Sequence, residues 1–207
     1  LQEYGEKLLV NKRGGIVALE PSSGEILALI SAPNYDPKLL VGRERSKNFT
    51  KLWYDTISRP LFDRVLQGEY PPGSPFKALT ALIGMQEGVA YKDEKLICKG
   101  SYNYGGKKKL GCHLHKTPLN MSEGLANSCN TYFCKIYKRS LEKFSTPQEG
   151  IDNWKRHLMS FGLDNYIGYD LPPGKKGLIP SSEFYNRWYQ YPKYKWYASA
   201  TISNAIG

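Results

Sequence analysis

The sequence predicts an α+β domain in which a β-hairpin comes first and helices dominate the remainder. Residues 15–31 alternate apolar and polar side chains on both sides of Pro21-Ser-Ser-Gly24, the pattern of two strands around a turn. Pro71-Pro-Gly73 breaks the chain before an apolar run from Phe76 to Met85, and Gly88 closes it, marking the start and stop of a helix. Residues 130–143 and 147–159 read as two further helices.

Taken in order, Ile16, Val17, Leu19, Ile26, Leu27, Leu29 and Ile30 are the strand residues of the hairpin. Residues 32–66 carry prolines at 33, 37 and 60 and mixed polarity, and read as loop with short helices. Residues 76–87 form the helix after the Pro-Pro-Gly breaker, expected to be buried on most sides because its apolar run is nearly continuous. Residues 91–115 are rich in Gly and Lys, and 102–109 read as a small hairpin tip or a loop. Residues 118–126 read as a helix, and 164–195 as an irregular stretch of glycines, prolines and tyrosines. Within it, the aromatic and basic run 186–197 is expected to cover packed surface, contact with substrate or a partner being the alternative. Residues 199–206 are expected to begin another helix.

The chain has 207 residues, enough for one sizeable core. No stretch approaches the apolar length of a membrane span, and no signal peptide opens the sequence. Lys and Arg number 29 against 19 Asp and Glu, a net charge of +10. That excess suits an anionic partner such as nucleic acid, lipid headgroups or acidic wall polymers, but it is dispersed and no nucleic-acid motif accompanies it. A solvated basic surface is the simpler account.

Chemistry concentrates at Ser74-Pro-Phe-Lys77. A hydroxyl is a weak nucleophile until a neighbouring base takes its proton. An amine one helical turn away can do so if burial lowers its pKa. Ser-x-x-Lys alone is more often a capping serine followed by a surface lysine. Here the lysine enters a buried helix, which is costly without a task or a partner. About fifty residues on, Ser128-Cys-Asn130 offers a second hydroxyl and a carboxamide two positions apart. Ser-x-x-Lys with a Ser-x-Asn element belongs to the signature of penicillin-binding proteins and class A β-lactamases.

The chain resembles the transpeptidase domain of class B penicillin-binding proteins, and among them the penicillin-binding protein 2 group. The resemblance runs along nearly the whole chain, through Gly14–Leu29, Ser31–Pro37, Arg59-Pro-Leu-Phe62, Tyr70–Lys77, Ser128–Phe133, Phe161-Gly-Leu163 and Gly177-Leu-Ile-Pro180. It implies a penicillin-binding, serine β-lactamase-like fold, an antiparallel sheet backed by helices beside a helical lobe. It implies a peptidoglycan D,D-transpeptidase with Ser74 as nucleophile and Lys77 as its base. Ser128 would relay a proton, Asn130 would hold lysine and substrate, and β-lactams would acylate Ser74. Substrates would be D-Ala-D-Ala stem peptides, and partners the membrane proteins of the elongation machinery, a glycosyltransferase among them. The location would be the periplasmic face of the bacterial inner membrane. The family's Lys-Thr-Gly element does not occur in this chain. Residues 1–207 are therefore expected to be the N-terminal part of a single transpeptidase domain, dependent on further strands for stability. A β-lactamase or β-lactam sensor, and a non-catalytic partner-binding piece, are the alternatives.

The four cysteines suggest two outcomes. Cys98, Cys112, His115 and Cys129 have the composition of a structural zinc site, and Cys112 and His115 lie one turn apart. His113 is the alternative histidine, and Cys134 reads as a core residue. The competing arrangement is a Cys98–Cys112 disulfide, which an oxidising compartment favours.

Overall fold

The computed structural model describes residues 1–105, 107–166 and 174–207. These fall into two compact units, residues 1–69 with 166–176, and residues 70–165 with 177–207. Part of the irregular stretch expected over 164–195, namely 167–173, lies outside the described residues.

In the first unit, helix α1 (Gln2–Leu8) is followed by strands β1 (Gly14–Leu19) and β2 (Ile26–Ala32), paired antiparallel with Val17 opposite Leu29. Alternation sets the faces: Ala28, Ile30 and Ala32 of β2 are buried, whereas Val17 and Leu19 of β1 are exposed; at the turn end, beside the register shift at Ala18–Leu19, Ile26 and Leu27 are both exposed. Gln2 ties α1 to β2 by bonding both the carbonyl and the N–H of Leu29. A short 3₁₀ turn (Pro37–Leu40), capped by Asp36, precedes α2 (Arg45–Tyr54). Arg64 is buried, its guanidinium donating to the carbonyls of Ser58, Arg59 and Phe62.

In the second unit a 3₁₀ turn (Ser74–Phe76) runs directly into α3 (Lys77–Gln86). Strands β3 (Ser101–Tyr104) and β4 (Lys107–Gly111) pair antiparallel, the hairpin of the two forms open for 102–109. Helix α4 (Met121–Ala126) opens with a capping box between Asn120 and Glu123. Helices α5 (Asn130–Glu142) and α6 (Pro147–Ser160) come next, the latter capped by Thr146 with Pro147 at its first position. Helix α5 is the centre of the unit: Phe133, Cys134, Ile136 and Tyr137 are all 0% exposed. Helix α3 crosses it closely at Gly84, where a β-carbon would come within 2.3 Å of the Ile136 methyl. Trp154 of α6 meets Tyr137 edge-on, with ring centroids 4.7 Å apart.

Several expectations are corrected. Helix α3 is not buried on most sides: Lys77, Thr80, Ala81, Ile83 and Gly84 face inward, while Leu82 and Met85 are about half exposed. Only one face of the helix meets α5, so an all-round apolar run does not mean all-round cover. The irregular stretch also contains a helix, α7 (Ser182–Trp188), started by the Ser181 cap and by Asp152 accepting from the Ser182 N–H. Covering packing is the role of Tyr185 and Trp196, both buried, but not of Trp188 or Tyr197, which are exposed.

After α7 the chain makes two 3₁₀ turns, Ala198–Ala200 and Ile202–Ile206, in place of the expected helix. This tail is fixed by polar bonds inside the core. Tyr137 OH meets Thr201 Oγ1 at 2.9 Å, and Asn204 donates to the hydroxyls of Tyr137 and Tyr185. Thr80 of α3 donates to the Ala205 carbonyl. Gly207, at φ +85°, lies so close to Pro72 and Gly73 that a β-carbon would come within 2.7 Å of the Gly73 nitrogen. The tail thus backs the loop that delivers Ser74. No helix among the described residues is long and apolar enough to cross a membrane.

Candidate active site

Ser74 stands at the start of the 3₁₀ turn before α3 and is exposed, while Lys77, one turn later, is only 1% exposed. Neither serine of the two motifs serves as a helix cap. Gly73 precedes the turn and makes no side-chain cap bond. At the start of α5 the cap is Cys129, whose sulfur accepts from the Tyr132 N–H at 3.3 Å. Ser128 is thereby left free to turn away. It holds a left-handed backbone, φ +48°, which is uncommon outside glycine and often marks a functional turn.

The structure brings all four side chains together in the second unit. Ser128 Oγ donates to Ser74 Oγ at 2.8 Å. Lys77 Nζ reaches Ser74 Oγ at 3.1 Å, Ser128 Oγ at 2.9 Å, the Ser128 carbonyl at 2.7 Å and Asn130 Oδ1 at 2.6 Å. Asn130 uses its other end to donate to the Gly111 carbonyl at 2.8 Å. One carboxamide thus bridges the lysine and the end of β4, which fixes which way it faces.

Burial pulls the Lys77 pKa below its ordinary value, against the opposing pull of the nearby cysteine sulfurs of Cys112, Cys129 and Cys134. Its hydrogen-bond partners are two hydroxyls, a carbonyl and a carboxamide, with no carboxylate among them. Nothing in that set demands a permanent positive charge. A neutral Lys77 can take the Ser74 proton, and Ser128, within reach of both, can pass it on. Such an arrangement can support acyl transfer to a serine oxygen.

Next to it lies a cluster of sulfur and imidazole. The ligand atoms of Cys98, Cys112, His115 and Cys129 all lie within 4.8 Å of one another. Cys112 Sγ is 3.7 Å from both Cys129 Sγ and His115 Nε2. Tetrahedral zinc with Zn–S near 2.3 Å sets neighbouring sulfurs about 3.8 Å apart, so the donor set fits that ion. His115 Nδ1 faces the Lys116 carbonyl at 2.8 Å, which makes it the N–H and leaves Nε2 as the lone pair toward the sulfurs. The Cys98 backbone N–H is held by Thr117 Oγ1. None of the four cysteines forms a disulfide, so the Cys98–Cys112 bridge is not present. His113 is not in the cluster, and Cys134 is fully buried in the core, as expected. Burial works against ionising Cys112, but hydrogen bonds from the Thr131 N–H, from His115 when its ring carries both protons, and from the other two thiols outweigh it and lower its pKa. Burial raises that of Cys129.

What sequence reasoning missed is the Gly111 carbonyl. A backbone acceptor leaves no mark on residue type, and no motif could have found it.

The chain belongs to the penicillin binding protein transpeptidase domain family, whose model matches residues 14–207. It is similar to the peptidoglycan D,D-transpeptidase MrdA of Acinetobacter baumannii, 34% identical over the whole of this chain and 29% of the relative. The chain therefore spans under a third of that relative's length. Among solved structures it is similar to penicillin-binding protein 2 of Pseudomonas aeruginosa in complex with WCK 5153, with a TM-score of 0.82, 31% identity, and coverage of 99% of this chain and 44% of the other. It is likewise similar to the Helicobacter pylori complex between penicillin-binding protein 2 and MreC, with a TM-score of 0.78, 27% identity, and coverage of 99% and 36%. The α+β transpeptidase fold follows from both the family match and these structures.

Proposed function

We propose that this chain carries the nucleophile-bearing part of a peptidoglycan D,D-transpeptidase, residues 1–207 being the N-terminal portion of its single transpeptidase domain. One observation supports this above others: Ser74, Lys77, Ser128 and Asn130 are joined in one hydrogen-bonded set around a lysine that has no carboxylate partner among the described residues. Lys77 takes the Ser74 proton as Oγ attacks the carbonyl of the penultimate D-alanine of a stem peptide. Ser128 passes that proton to the departing terminal D-alanine amine, leaving an ester on Ser74. An amine of a neighbouring stem peptide then displaces the serine oxygen and closes the cross-link. Asn130 holds Lys77 and contacts the substrate amide. The Ser74 N–H supplies one donor to the developing oxyanion. A β-lactam ring, being a strained amide of similar shape, acylates the same oxygen. The workplace is the periplasmic face of the inner membrane, beside the elongation-machinery proteins and their glycosyltransferase. The Helicobacter neighbour bound to MreC is in keeping with such company.

The test is covalent labelling of the full-length protein by a fluorescent penicillin. Ser74→Ala abolishes labelling, and full labelling of that variant would overturn the assignment. A label that persists for hours marks a transpeptidase, and rapid turnover marks a β-lactamase.

Catalysis needs no cofactor in this scheme. We further propose that Cys98, Cys112, His115 and Cys129 hold one structural zinc ion. It would supply a cross-link between the chain after β4 and the turn carrying Ser128 and Asn130. Metal analysis is expected to give one zinc per chain, with protected thiols that become reactive on chelation. Zinc-free protein with three freely reactive cluster thiols would end this proposal.

A further inference from the structure

We propose that Cys112 and Cys129 form an oxidation-sensitive pair whose closure into a disulfide switches off the Ser74 site. The two sulfurs are 3.7 Å apart and unbonded. They differ in access: Cys112 is partly exposed, while Cys129 is 0% exposed. A small peroxide therefore meets Cys112 first. The thiol sulfur attacks the peroxide, the O–O bond breaks, and Cys112 becomes a sulfenic acid with release of water. The Cys129 thiol then attacks that sulfur, the S–O bond breaks, and a second water leaves. The net step reduces one peroxide to two waters and oxidises two thiols to one disulfide. Cys98, whose sulfur is also in the cluster, is the competitor for the same sulfenic acid.

The consequence arises from where the two cysteines sit in the chain. A disulfide bond is about 2.05 Å long, so the sulfurs must draw together by roughly 1.7 Å. Neither end can move without touching Asn130. Cys112 follows Gly111, whose carbonyl holds Asn130 Nδ2 at 2.8 Å. Cys129 lies between Ser128 and Asn130, and its sulfur is also the acceptor that caps α5 through the Tyr132 N–H. That turn already carries Ser128 at φ +48°, so it has little freedom to absorb the shift elsewhere. A misplacement of about 1 Å in a catalytic constellation costs on the order of 100-fold in rate. Zinc in the proposed cluster would occupy the same sulfurs, so metal-free protein is the sensitive form. The loss of activity rests on the Ser74 assignment above, whereas formation of the disulfide does not.

The experiment takes the full-length protein, strips metal with a chelator, adds hydrogen peroxide, and monitors thiols, peptides and labelling together. The expected result is loss of two thiols and a peptide linking Cys112 to Cys129. Acylation by fluorescent penicillin should fall about 100-fold and return with a phosphine reductant. Cys134→Ala, outside the cluster, should show the same linkage and the same fall. Cys112→Ser should form no such linkage, and peroxide should leave its acylation rate at its own untreated value. Linkage through Cys98, no linkage at all, or undiminished acylation of the linked protein would each overturn the proposal. If Ser74→Ala still labels while the linked peptide forms, the Ser74 assignment falls and takes the switch with it.

Discussion

The two ends of helix α3 treat an ionisable side chain withdrawn from solvent in opposite ways. At its start, Lys77 is buried among neutral acceptors, and burial lowers its pKa. At its end, Glu87 accepts from Asn153 at 2.7 Å, from Lys143 at 2.8 Å and from His157 at 2.5 Å. Burial opposes its charge too, but bonds from Lys143, His157 and Asn153 win and hold its pKa at about 2. A partly buried carboxylate ringed by complementary donors is pinned in its charged form and serves as a bolt between α3, α5 and α6. A buried group given only neutral partners can change protonation state, which is what a general base requires. Both residues sit on the same helix, so the difference comes from their neighbours and not from the helix.

The largest test of that contrast is Lys77→Arg. Arginine keeps the positive charge and donors but cannot give up its proton at any working pH. If Lys77 acts as a neutral base, Lys77→Arg lowers the penicillin acylation rate by about 10³–10⁴-fold, as severe as Lys77→Ala. The wild-type rate should climb with pH as Lys77 loses its proton, at a pH below the ordinary lysine range. An arginine variant that acylates at near-normal rate would show that charge, not basicity, is what position 77 supplies.

A smaller effect is expected at the other end. Glu87→Gln weakens three hydrogen bonds to a charged acceptor and should cost about 2 kcal/mol of stability, read as a lower Tm, with acylation within about twofold of normal. Its pH signature has a definite sign. A carboxylate whose folded pKa is depressed contributes stability above its ordinary value of 4.5, and that contribution is lost as pH falls toward about 2. Wild-type Tm should drop across that window, and Glu87→Gln should flatten the drop. An unchanged slope would mean that Glu87 is not the bolt it looks to be.

Local patterns make much of this legible. The hairpin alternation and the Pro-Pro-Gly breaker before Ser74 act over a few residues, and the helical ranges 118–126, 130–143 and 147–159 are local too, so the order of β1, β2, α3, α4, α5 and α6 can be read directly. Helix α7 is harder, because its aromatic and basic composition resembles a loop and its start depends on Asp152, thirty residues away in sequence. Spacing alone also places Ser74 and Lys77 one turn apart, and puts a hydroxyl and a carboxamide on either side of Cys129. What only the tertiary structure decided is long-range. It set Lys77 against Ser128 and Asn130 across some fifty residues, and it chose His115 over His113 beside the three sulfurs. It also turned Asn130 by a backbone carbonyl. The physical reason is that periodicity and capping report on a residue's nearest turns of chain. Burial, pKa and the geometry of a cluster depend on which distant segments the core presses together.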